Sequence, residues 1–111
     1  MAQNDRIEAL LGRTVQFTFA DGPSANVTYE HRFNEDGSID FRAAGDATAK
    51  FSRAKSGTTM KVGDGLFLMS YLSKEGYTLT LLLNVRTLEL VGFASNSDVW
   101  FQQKGTLEFV G

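Results

Sequence analysis

The amino-acid sequence predicts an all-β protein, an antiparallel meander rolled into a barrel behind a short N-terminal helix. Three observations carry this. Apolar and polar residues alternate with a period of two through most of the chain, the pattern of strands with one buried face. Turn-forming pairs such as Asp36-Gly37, Asp64-Gly65 and Glu75-Gly76 punctuate the alternating runs, as hairpin connections require. No apolar 3.6-residue period is long enough for a βαβ crossover, so consecutive strands pair antiparallel, and closing the meander removes its exposed edges.

Asn4 or Asp5 caps the opening helix, Ile7, Leu10 and Leu11 form its apolar face, and Gly12 supplies a left-handed stop. From Arg13 to Ala20, Val15, Phe17 and Phe19 alternate with threonine and glutamine until Asp21-Gly22-Pro23 breaks the run. From Ala25 to Asn34, Val27, Tyr29, His31 and Phe33 face one way and Glu30 and Arg32 the other. Asp36-Gly37 then leads into Ser38 to Ala43, where Ile39 and Phe41 continue the inward set and Arg42 takes the surface phase. Weaker, edge-like strands are expected over Ala47 to Arg53 and Thr58 to Val62. Leu66 to Leu72 is apolar at nearly every position, so both of its faces are expected to be covered, by the helix or by a second subunit. Tyr77 to Val85 and Leu88 to Ala94 follow. A final hairpin pairs Val99 to Gln102 with Thr106 to Val110 across Lys104-Gly105.

The 111 residues suit one domain, 1–111, with one core. Hydrophobic residues at 42% and charged residues at 22% describe an ordinary globular chain. A net charge of −2, with Arg13, Arg32, Arg42, Lys50, Arg53, Lys55 and Lys61 scattered among acids, offers no footprint for nucleic acid. With no cysteine there is no disulfide, thiolate nucleophile or cysteine-ligated zinc. The first residues lack a signal-peptide pattern, and no apolar run approaches the roughly 20 residues that span a bilayer. A soluble cytoplasmic protein with no membrane partner, cofactor or metal is expected.

The landmarks also fall in a familiar order. Gly12-Arg13-Thr14 precedes Phe17-Thr18-Phe19-Ala20-Asp21-Gly22-Pro23, and Thr28-Tyr29-Glu30-His31-Arg32-Phe33 precedes Asp36-Gly37-Ser38-Ile39-Asp40-Phe41-Arg42. Ser70-Tyr71-Leu72, Gly76-Tyr77-Thr78-Leu79-Thr80, Gly92-Phe93-Ala94-Ser95-Asn96, Trp100 and Gly105-Thr106 complete the set. Over nearly its whole length the chain resembles the MoaF-like family, named after molybdenum-cofactor biosynthesis protein F, and more distantly the bacterial phenolic acid decarboxylases. The resemblance implies a calycin (lipocalin-like) β-barrel, a shape whose members are often homodimers. The decarboxylases carry paired tyrosines on the first strand and a glutamate after the serine-aromatic step. Phe17 and Phe19 occupy the tyrosine positions here, and Ser73 stands near the glutamate position. Phenolic acid decarboxylation therefore lacks its proton-moving groups.

The candidate ligand-binding residues are Phe17, Phe19, Tyr29, His31, Phe33, Tyr71, Tyr77 and Trp100, with parts of the Leu79 to Leu83 strand. His31 is the only histidine and the candidate catalytic residue, since an imidazole in a cavity can exchange a proton or hydrogen-bond a guest. A core histidine satisfied by a neighbouring hydroxyl or backbone group is the plainer account of its position, and one histidine without a spaced partner is no metal site. The tyrosines can aim hydroxyls into a cavity while their rings pack among leucines. By phase Tyr77 faces inward, Tyr71 either way, and Trp100 closes one end or is simply buried. Three functional readings stand open: a barrel binding a small apolar or aromatic molecule, a small lyase, isomerase or cyclase using His31 or a tyrosine, and a non-catalytic dimerisation domain.

Overall fold

Alternation becomes ladder in the computed structural model, which describes residues 10–21, 25–44, 50–73 and 75–110. Residues 4–9 of the expected helix and 47–49 of the expected fourth strand lie outside these. The strands are β1 (Arg13–Phe19), β2 (Thr28–Phe33), β3 (Ile39–Ala43), β4 (Ser52–Arg53), β5 (Ser56–Gly63), β6 (Leu66–Leu72), β7 (Thr78–Asn84), β8 (Glu89–Ser95) and β9 (Trp100–Phe109). All pairings are antiparallel, in one curled sheet of order β4-β3-β2-β1-β9-β8-β7-β6-β5. Gly12 has the expected left-handed backbone, with φ +84°.

The two outermost strands are consecutive in the chain, and this draws the sheet round. Between them the Ala54 N–H donates to Ile39 O on β3 (3.0 Å) and the Lys55 N–H to Leu72 O on β6 (2.9 Å). The expected full closure is not reached, because among the described residues no ladder joins β4 to β5. β4 is only two residues long, and the chain leaves it at once for the opposite edge. The concave face holds the core, where Val15, Phe17, Phe33, Ile39, Met69, Leu81 and Leu83 are fully buried. Each large apolar side chain there contributes about 1.5–3 kcal/mol by leaving water.

The expected final hairpin is one continuous strand instead. β9 pairs with β8 from Ser95↔Trp100 to Glu89↔Thr106, and with β1 from Phe19↔Gly105 to Val15↔Phe109. Gly105 is therefore a close-approach residue and not a turn: a Cβ there would lie 2.0 Å from the Thr18 carbonyl oxygen. Gly92 does the same on β8, with a Cβ position 1.9 Å from Thr80 O. Removing two side chains lets neighbouring backbones approach closely at both positions.

Two further expectations change. Val27 precedes β2 beside the positive-φ residue Asn26 and is exposed, outside the inward set. On β6, Phe67, Met69 and Tyr71 are buried, while Leu66, Leu68 and Leu72 on the other face are half-buried. That outer face is only partly covered, by cross-strand neighbours such as Leu68↔Leu82 and Met60↔Leu68.

The outer face of β1 to β3 uses its charges locally. Glu30 accepts from Gln16 (3.1 Å) and Arg42 (2.9 Å), so it points away from His31. Asp40 accepts from Arg32 (3.2 Å), Asn34 (3.0 Å) and Arg53. Burial pushes the Asp40 carboxyl up, but the bonds from Arg53, Asn34 and Arg32 outweigh it and hold it below its ordinary value. Phe51 lies under both the Arg32 and Arg42 guanidinium groups, 4.1 and 4.4 Å from ring centroid to charge.

Candidate functional site

One end of the curled sheet is open and holds a cavity of about 320 Å³. Its wall follows from period-two alternation on seven strands: Phe19 from β1, Tyr29 and His31 from β2, Phe41 from β3, Tyr71 from β6, Leu79 from β7, Ala94 from β8, and Phe101 and Gln103 from β9. Ser73, Glu75 and Tyr77 come from the β6–β7 connection. The aromatic rings touch one another around the space. Phe41 stacks on Tyr71 at 5.3 Å, Tyr77 meets Phe101 edge-on at 6.3 Å, and Phe19 and Tyr29 are tilted at 6.2 Å.

At the cavity floor His31 Nε2 lies 2.9 Å from the Tyr71 hydroxyl. The two residues are 40 positions apart, and β2 and β6 are not neighbours in the sheet. Only curling brings them together. His31 is 1% exposed and stacks on Phe17 at 4.3 Å. Burial lowers its pKa to about 3, weakly opposed by the Tyr29 backbone, so the ring is neutral at physiological pH. Burial also raises the Tyr71 pKa, helped by Tyr29 and by the Glu75 charge. The pair is an uncharged hydrogen bond in an aromatic setting.

The structure brings five of the eight sequence-predicted residues, Phe19, Tyr29, His31, Tyr71 and Tyr77, into the wall. Phe17 and Phe33 are fully buried outside the cavity wall, with ring centroids 6.4 Å apart, and Phe17 stacks on His31. Trp100 stands on the outside, 66% exposed and stacked on Phe93 at 5.4 Å, so it does not close the barrel. Of the Leu79 to Leu83 stretch, Leu79 lines the cavity while Leu81 and Leu83 are core.

Sequence reasoning passed over Phe41, Ser73, Glu75, Ala94, Phe101 and Gln103 as lining residues. The signal for Gln103 was present: Phe101, Gln103, Gly105, Leu107 and Phe109 keep one phase along β9. Reading Lys104-Gly105 as a turn broke that phase. Ser73 is held in the connection by accepting a hydrogen bond from the Tyr77 N–H (3.1 Å). Among the described residues no cluster of three histidine, cysteine, aspartate or glutamate side chains could hold a metal, and no helix is long and apolar enough to cross a membrane.

Three comparisons bear on this arrangement. The family model of the MoaF N-terminal domain matches residues 3–98. No curated protein matches the chain. Among solved structures, the fold is similar to that of a "putative beta-lactamase" from Burkholderia vietnamiensis, with a TM-score of 0.73 and 13% identity over 91% of this chain and 95% of that one. At that identity the likeness carries the fold alone.

Proposed function

The chain belongs to the MoaF N-terminal domain family, and from that premise we propose that it is a calycin-type barrel that binds a small apolar or aromatic molecule. The observation that supports this most is the cavity itself: about 320 Å³, open at one end and walled by six aromatic rings around few polar groups. Flat rings offer area to a flat guest, and the hydroxyls of Tyr29 and Tyr71 and the amide of Gln103 orient it. Native mass spectrometry of untreated protein tests the reading. A bound organic mass that is lost on denaturation supports it. A protein that carries none, and whose melting temperature does not respond to any member of a panel of small aromatic compounds, refutes it.

The low pKa of His31 favours binding over proton transfer. An imidazole that takes up its second ring proton only near pH 3 is a poor general acid at neutrality and a weak base. Its role in this reading is to anchor Tyr71. We propose the cytoplasm as the place of action, with which the cysteine-free sequence is compatible; cell fractionation checks it. A homodimer is the second reading, favoured by the apolar outer face, where Met60, Val91, Phe93 and Trp100 are exposed. Sedimentation of a stable monomer at micromolar concentration would remove it.

A further inference from the structure

Charge is distributed unevenly between the two faces of the sheet. On the convex side Arg32 and Arg53 are engaged by Asp40, and Arg42 by Glu30. On the concave side the described residues that line the cavity include no lysine or arginine, and His31 is neutral. Their one formal charge is the Glu75 carboxylate, at the rim in the turn between β6 and β7. Its field reaches inward, since it helps hold the Tyr71 hydroxyl protonated.

An aromatic wall is not electrically indifferent. Ring faces carry partial negative charge and attract a cation within roughly 6 Å of the centroid. They give a carboxylate or phosphate nothing in return for its lost water. Six rings and one rim carboxylate therefore combine to favour positive charge.

Building on the binding role proposed above, we infer that the cavity is selective for charge: it takes aromatic guests that carry a protonated amine, with Glu75 as counter-ion and the rings as a cage, and it rejects aromatic carboxylates. Neutral aromatic alcohols fall between the two. The selectivity is set at the rim, where Glu75 is exposed, so added salt weakens it.

The chain offers its own reporter for the test. All three tyrosines, Tyr29, Tyr71 and Tyr77, line the cavity, while the single tryptophan lies outside. Protein carrying isotope-labelled tyrosine is titrated near neutral pH with 2-phenylethylamine, 2-phenylethanol and phenylacetate, and the ring signals are followed by NMR. The amine is expected to bind on the order of tenfold tighter than the alcohol, and phenylacetate on the order of tenfold weaker. In Glu75→Gln the ratio of amine to alcohol affinity should fall to within about threefold of one. Phenylacetate binding as tightly as the amine, or a preference for the amine that is undiminished in Glu75→Gln, overturns the inference while leaving the binding role intact. If none of the three compounds moves the tyrosine signals, the binding role fails and the inference falls with it.

Discussion

Lowering the pH from 7 to 4.5 should destabilise the protein through His31, well before its paired carboxylates titrate. In the unfolded chain the imidazole titrates near 6.5; in the fold burial holds it at about 3. Between those values the unfolded state binds a proton that the folded state refuses. The stabilisation is thus fully present above about pH 6.5 and is lost as pH falls, at about 1.4 kcal/mol per unit. Two units below 6.5 the loss is about 2.7 kcal/mol, or a drop of about 10 °C in melting temperature for a chain of this size. Asp40 and Glu30 are held below their ordinary values of 3.8 and 4.5, so their contributions begin to be lost only as pH falls through those ordinary values, at the acid end of this range or beyond it. Urea denaturation at intervals from pH 7 to 4.5, on wild type and on His31→Leu, isolates the histidine. The wild-type curve should fall steeply and the variant's should stay nearly flat. Parallel curves over that range would refute the burial argument.

Three other outcomes follow from the geometry. Tyr71→Phe leaves His31 Nε2 without its partner and should cost about 1–2 kcal/mol, but much less in a His31→Leu background; a double-mutant cycle showing no coupling contradicts the 2.9 Å contact. Gly105→Ala forces a methyl group to within 2.0 Å of the Thr18 carbonyl, and the separation of β1 from β9 should cost about 3 kcal/mol or more; soluble protein with an unchanged unfolding midpoint would rule out the close approach. Trp100 fluorescence should be readily quenched by acrylamide and indifferent to any cavity guest, because the ring is exposed on the outer face; protection on guest binding would place it at the site after all.

Local chemistry alone made much of the architecture legible. Alternation in Thr14–Phe19, Tyr29–Phe33 and Leu79–Leu83, broken by glycine-bearing turns, marked β1, β2 and β7, and it set His31 and Glu30 on opposite faces. It also put Phe19, Tyr29, His31 and Tyr77 on the concave side, where they line the cavity. A period of two reports which face a residue takes, because successive Cβ atoms point oppositely. It reports neither depth along the barrel nor curvature. Phe17 and Phe19 share one phase and both belong to the core, yet only Phe19 also reaches the cavity wall. Gly105 looks like a turn residue until β1 is laid against it. Tyr71 had no decided face until the curl of the sheet carried β6 over β2 and put its hydroxyl on His31. The faces of the strands were thus a property of the sequence. The cavity, its charge and the His31–Tyr71 bond belong to the tertiary structure, because they depend on register and closure between segments far apart in the chain.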